Sequence, residues 1–310
     1  MNASETKAVT TLAPIVLFVY NRPWHTQQTI EALQKNELAS ESVLFIYSDA
    51  PKAGQDQSKV QETRDYIHSI GGFKKITIIE REKNWGLANS IIDGVTAIVN
   101  QYGKIIVLED DLVTSPYFLR FMNDALEFYK DVSCVWHING WNNPIDASGV
   151  PDLYFSKIAY SWGWATWKGR WVHFNKDTSF LIESLSKEEI YKFNLDGTYN
   201  MWDQVILNNK GSLNTWAVFW YGMIFLQKGL CLNNNLNLIR CIGTDGTGEN
   251  CGTELLYLNQ WINNKEVFYE FEYTVVHNDL AFERLKLFTS SRKSFFQRAI
   301  TKIKRLVSGE

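Results

Sequence analysis

The sequence predicts an α/β fold, a mostly parallel central sheet with helices on both faces. Three observations carry this. β-rich apolar runs alternate with helix-length segments from Pro14 to Tyr129, the pattern of strand-crossover-strand units. The strand-like runs are apolar throughout, as strands covered on both faces are. The chain has 310 residues, 45% hydrophobic and 21% charged, enough to close one large α/β domain.

In order, residues 1–13 are polar and a frayed N-terminus is expected. Pro14 to Tyr20 reads as the first strand and Asn21-Arg22-Pro23 ends it. Trp24 to Lys35 reads as a helix with Pro23 near its start, where a missing N–H removes no hydrogen bond. Val43 to Tyr47 is a second strand ending at Ser48-Asp49, and Val60 to Ile70 a helix stopped by Gly71-Gly72. Lys75 to Ile79 is a third strand, and a helix from Leu87 to Tyr102 follows Asn84-Trp85-Gly86. Lys104 to Val107 is a fourth strand that runs into Leu108-Glu109-Asp110-Asp111-Leu112; Pro116 to Tyr129 is the next helix.

From Cys134 the pattern changes. Strand-like Cys134 to Ile138 leads to Gly140-Trp141-Asn142 and an aromatic block from Tyr160 to Trp167. Residues 185–222 read as helical, 233–250 as loop-rich, and Tyr273 to Val276 as strand-like before His277. No linker separates the halves, so a single domain over 14–280 is expected, with halves 14–131 and 132–280.

Composition narrows the function. A net charge of -3 argues against a broad nucleic-acid surface. The 12 Trp residues suit either stacking platforms for rings or plain packing. Cys134, Cys231, Cys241 and Cys251 form no CxxC pair with nearby His, so zinc is not indicated and buried, reduced cysteines are expected. Met1 to Ala13 lacks an apolar signal core, and no run reaches the ~18 apolar residues of a membrane span. A cytoplasmic location is expected. The segment 281–310 is basic and amphipathic, with Arg284, Lys286, Arg292, Lys293, Arg298, Lys302, Lys304 and Arg305. It suits peripheral contact with the inner face of the plasma membrane, or packing on the body by its apolar face.

The run Glu109-Asp110-Asp111 carries the most chemistry. Three carboxylates at the end of a buried strand repel one another and lose solvation. A hard cation relieves both, and carboxylate oxygens are the ligands that Mg²⁺ and Mn²⁺ prefer. A solvated acidic turn is the plainer reading. Ligands of parallel sheets bind beyond the carboxyl ends of strands, where Arg22 and Asp49 also fall. There is no GxxxxGK[ST], GxGxxG or HExxH, which disfavours P-loop, Rossmann and zincin chemistry and leaves a metal-bridged diphosphate as the natural ligand.

On these residues the chain resembles a glycosyltransferase of the GT-A fold, of the N-acetylglucosaminyltransferase I type. The resemblance covers roughly 14–250. Glu109-Asp110-Asp111 matches the family's EDD variant of the DxD motif, followed by Pro116-Tyr117-Phe118 at its spacing. Tyr20-Asn21-Arg22, Ser48-Asp49, Gly140-Trp141-Asn142, Trp162-Gly163-Trp164 and Trp202-Asp203 match further positions in order. Asn84-Trp85-Gly86-Leu87-Ala88-Asn89 is similar to a segment of family 2 glycosyltransferases.

The resemblance implies a Rossmann-like nucleotide-sugar half over 14–131 and an acceptor half over 132–280. It implies Asp111 as the direct ligand of Mn²⁺ or Mg²⁺, with Glu109 and Asp110 in support. It places Arg22 beside a diphosphate, Asp49 on uracil, Asn89 near the nucleotide, Trp202 at the nucleotide-sugar site and Asp203 as catalytic base. The implied partners are a nucleotide-sugar donor, a UDP-sugar foremost, and a glycan or lipid-linked saccharide acceptor. A hexosyl- or N-acetylhexosaminyltransferase of bacterial surface polysaccharide synthesis fits the lack of a membrane anchor. One base opposite the leaving group gives inversion. Beside these roles, Asp203 suits a helix cap, Asp49 a turn cap, Arg22 a surface ion pair, and Asp245 an ordinary turn in preference to a Gly-rich loop closing over the donor. His277 suits a structural histidine. The alternatives are a sugar-phosphate nucleotidyltransferase and a non-catalytic carbohydrate-binding or scaffold protein.

Overall fold

The computed structural model describes residues 11–54, 57–248 and 255–291. The first half runs β1 (Ile15–Val19), α1 (Pro23–Gln34), β2 (Val43–Ser48), α2 (Ser58–Ser69), β3 (Lys75–Glu80), α3 (Leu87–Tyr102), β4 (Lys104–Glu109), β5 (Leu112–Thr114) and α4 (Phe118–Phe128). The second half runs β6 (Val135–Asn139), β7 (Leu153–Ser156), β8 (Trp164–Trp167), α5 (Lys168–Trp171), α6 (Thr178–Ser184), α7 (Lys187–Phe193), α8 (Trp202–Asn209), α9 (Ala217–Leu226), β9 (Leu230–Asn234), β10 (Ile239–Cys241) and α10 (Leu255–Leu258).

Among the described residues, eight strands form one sheet in the order β3-β2-β1-β4-β8-β6-β9-β7, and β10 pairs with β5 in a small second sheet. β1 to β4 are mutually parallel. β8 is antiparallel to both β4 and β6, β9 is parallel to β6, and β7 is antiparallel to β9. The architecture is therefore the α/β class expected, a large mostly parallel sheet, with β8 and β7 reversed.

Alternation along the strands fills both faces. Ile15, Leu17, Ile106 and Leu108 join α1 and α4 in one apolar cluster, whereas Val16, Phe18, Ile105 and Val107 join α3, α6 and α9 in the other. Burying each such side chain contributes roughly 1.5–3 kcal/mol, so both layers are needed. Gly94 of α3 shows how closely that helix approaches. A Cβ there would lie 2.8 Å from the Phe18 ring and 3.0 Å from Tyr47.

Residues 185–222, read as helical, hold α7, α8 and the start of α9, with turns between them. Ser186 starts α7 with a reciprocal capping box to Glu189. Leu195, Asp196 and Gly197 then take left-handed conformations at φ 52°, 50° and 76°, which no helix can continue through. Gly211 at φ 69° separates α8 from α9 in the same way. Tyr273 to Val276 forms no strand; only one parallel bridge, Phe155 to His277, marks the region. The described part of the basic segment is helical over 279–291. It packs by Ala281 and Leu285 and ties to the body through Arg284–Asp146 at 3.2 Å and Lys286–Asp196 at 3.0 Å. Residues 292–310 lie outside the described residues, as do 1–10 and Cys251. Cys231 and Cys241 are buried and free, and Cys134 is free but exposed. Among the described residues no helix is long and apolar enough to cross a membrane.

Candidate functional site

A cavity of about 460 Å³ opens beyond the carboxyl ends of β1, β2 and β4, of the size that holds a substrate. Sheet register builds its charged wall. β1 and β4 are neighbours with Phe18 opposite Glu109, so the residues leaving each strand, Arg22 and Asp110-Asp111, emerge side by side. Arg22 Nε donates to Asp110 Oδ2 at 3.3 Å, and Nη2 donates to Asp110 Oδ1 and to Asp111 Oδ2, the latter at 2.9 Å. Asp110 and Asp111 are 4% and 6% exposed, so this is a desolvated cluster and not a surface ion pair.

The charges do not balance. Burial, then repulsion from Asp111 and Asp110, pushes Glu109 up to about 8. Burial raises Asp110 to about 6 against the pull of Arg22. Burial opposes the Arg22 charge, but the two aspartates outweigh it and hold its pKa above the ordinary value. One guanidinium among three carboxyl groups leaves room for more positive charge. Arg22 Nη1 is buried without a hydrogen-bond partner among the described residues, beside Gly243.

Those donors decide what metal could sit here. Among the described residues, no three His, Cys, Asp or Glu side chains converge as a closed metal cage. Asp111, with Asp110 and Glu109 beside it, offers hard oxygens on one side only. That fits Mg²⁺ or Mn²⁺, which take one or two carboxylates and fill the remaining positions with phosphate oxygens and water.

The other expected residues fall in different places. Asp49 lines the cavity, and its carboxylate accepts from the N–H groups of Ala50, Trp85 and Gly86 at 2.9, 2.9 and 2.8 Å. It thereby ties the end of β2 to the start of α3. Asn89 is exposed and donates back to Trp85 O at 2.9 Å, while its neighbours Ala88 and Ser90 face the cavity. Trp202 is buried edge-on against Phe193 and does not line the cavity. Asp203 lies in the first turn of α8 on its solvent side; its side chain makes no capping bond, and Gln204 is the residue of that turn facing the cavity. Trp164 and Trp167 are core, but Ser161 and Trp162 reach the cavity.

Lys52, Ser90, Gln204, Thr215 and Thr247 line the cavity without having been singled out in the sequence. Lys52 had a usable signal, as the first cation after a strand end. The others are ordinary polar residues in ordinary segments. His137, fully buried, bridges Tyr160 O at 3.1 Å and Trp220 Nε1 at 3.1 Å and stacks on Trp164. Burial pushes its pKa down to about 3, so it is a neutral structural group. His277 lies outside the lining, paired loosely with Asp279 at 4.0 Å.

No protein-family model matches the chain, and no curated protein matches it in sequence. Among solved structures it is similar to the mannosyltransferase PcManGT of Pyrobaculum calidifontis in complex with GDP-Man and Mn²⁺. The identity is 12% over 53% of this chain and 49% of that one, with a TM-score of 0.37. Residues 1–349 of S. aureus TarS give 10% identity over 75% of this chain and 61% of that one, with a TM-score of 0.40. A UDP-glucose pyrophosphorylase complexed with UDP-glucose gives 9% identity over 73% of this chain and 92% of that one, with a TM-score of 0.36. The chain thus spans about half the length of the mannosyltransferase it resembles. These likenesses are partial, and the site stands on its own geometry.

Proposed function

We propose that the chain is a GT-A-type glycosyltransferase that moves a sugar from a nucleotide-diphosphate donor, a UDP-sugar foremost, to a hydroxyl of a glycan or lipid-linked saccharide. The observation that carries this is the strand-end cluster of Arg22 with Asp110 and Asp111, walled into a substrate-sized cavity. A leaving nucleoside diphosphate accumulates negative charge as the glycosidic bond breaks. Arg22, which lines the cavity, supplies a fixed positive charge for it. Asp111, supported by Asp110 and Glu109, is the ligand for Mn²⁺ or Mg²⁺, which when bound would neutralise the diphosphate as a Lewis acid.

Asp49 holds the turn before α3, so it shapes the nucleotide end, and Asn89 and Trp202 act by fixing the turn and α8 beside it. The acceptor hydroxyl needs a base. Asp203, exposed in the first turn of α8 beside cavity-facing Gln204, suits an acceptor arriving from solvent and displacement with inversion. The test is calorimetry of UDP and GDP with and without Mn²⁺, followed by a transfer assay with a panel of UDP- and GDP-sugars. Metal-dependent nucleotide binding and sugar release support the reading; no nucleotide binding under any condition ends it.

A further inference from the structure

Nothing in the proposed reaction uses the segment after β10, yet it is built onto the charged wall at three points. Ile242 N–H donates to Asp111 O at 2.8 Å. Gly243 then passes so close that a Cβ there would lie 1.8 Å from Asp111 Oδ2 and 2.9 Å from Arg22 Nη1. Two residues on, Asp245 Oδ2 meets His25 Nε2 at 3.0 Å. His25 is in the first turn of α1, three residues after Arg22, and is 7% exposed. Its ring is fixed edge-on by Trp24, with centroids 4.9 Å apart.

Asp245 uses its two oxygens for different tasks. Oδ1 accepts from Thr247 N–H at 2.9 Å and Thr247 Oγ1 at 2.7 Å, folding the turn. Oδ2 is left for His25. The turn therefore does not float: it is pinned to the helix that presents Arg22. Beyond it, Thr247 and Gly248 form part of the cavity wall. The expected ordinary turn is present, but half of the Asp245 carboxylate is spent outside it.

Resting on the diphosphate reading above, we infer that the His25–Asp245 pair is a positioning latch. It holds the 242–248 strap across Arg22 and Asp111, so that Thr247 and Gly248 present a polar wall to the donor's diphosphate end. The latch acts on donor binding and not on the chemical step, because it touches neither Asp203 nor the acceptor wall around Gln204. Its loss is therefore felt equally in ground and transition states, raising KM with little change in kcat.

The test is His25→Phe, which keeps a ring against Trp24 and removes the nitrogens, together with Asp245→Asn, which keeps an oxygen for Thr247, and the double variant. UDP and GDP affinity in Mn²⁺, donor KM and kcat, and Tm are measured for each. The latch predicts about a tenfold loss of nucleotide affinity in His25→Phe, the size of one charge-assisted hydrogen bond. KM rises to match, kcat stays within about twofold, Tm falls by only a few °C, and the double variant is no worse than His25→Phe. Affinity and KM within about twofold of wild type in His25→Phe overturn the latch alone. An equal fall in kcat with Tm lowered no further than that assigns the pair to chemistry and also overturns it. If wild type binds neither nucleotide, the proposed function falls and takes the latch with it.

Discussion

Gly243→Ala tests the packing of the candidate metal ligand. Its backbone is not left-handed, so alanine adopts it without strain and the whole cost arises from contact. The new methyl would stand 1.8 Å from Asp111 Oδ2 and 2.6 Å from its Cγ, against the ~3.5 Å of an ordinary contact. Clearing it requires moving the Asp111 carboxylate by about 1.7 Å, since an aspartate has no long stem to flex. That movement breaks the 2.9 Å bond from Arg22 Nη2, worth roughly 1.5–3 kcal/mol for a buried charge-assisted bond. Thermal denaturation should therefore fall by about 2–5 °C. Calorimetry of UDP with Mn²⁺ should show a loss of about 10–100-fold, as displaced metal sites do. Gly169→Ala, with open space around the added methyl, is the control and should leave nucleotide affinity unchanged and Tm no lower than wild type. A Gly243→Ala variant with wild-type Tm and nucleotide affinity would refute the geometry argued for Asp111.

Asp111→Ala should abolish Mn²⁺-dependent UDP binding, read by calorimetry; wild-type affinity would remove Asp111 as the metal ligand. Asp203→Asn should bind donor normally but turn over about 10²–10⁴-fold more slowly, and undiminished turnover in the transfer assay would end its role as base. His137 is held neutral, with its pKa near 3 against an ordinary 6.5, so the unfolded chain binds more protons between those values. Its contribution to stability is present above about pH 6.5 and is lost as pH falls towards 3, which urea titrations of wild type and His137→Phe at stepped pH will show as a flatter acid limb in the variant. Glu109 behaves oppositely. With its pKa raised from 4.5 to about 8, the metal-free folded state binds the extra proton, and stability falls as pH rises through that window. Glu109→Gln should flatten that limb in EDTA, and an unchanged slope would refute the burial argument.

Much of this was legible because periodicity is local. The apolar run from Ile15 to Val19 states its own burial on both faces, and α3 begins and ends at the glycines that bracket its amphipathic stretch, Gly86 and Gly103. The acidic run marked the end of β4 for the same reason, since desolvated like charges need a partner wherever the chain places them. In the second half that logic weakens. Residues 185–222 are rich in helix formers, but Leu195 and Asp196 adopt left-handed backbone that no propensity foretells.

By itself the sequence determined the α/β class, the strand ends and the chemistry gathered there: a guanidinium, an aspartate and three consecutive carboxyl groups. The tertiary structure decided how they meet. Arg22 spans Asp110 and Asp111 because β1 lies beside β4 in one register. His25 meets Asp245 across 220 positions because β10 pairs with β5 and delivers its following turn to α1. Gln204 faces the cavity and Asp203 the solvent because one step along a helix turns the side chain by about 100°. Side-chain burial is written in the neighbouring residues; which distant groups share a cavity is set by strand order and by the paths of loops.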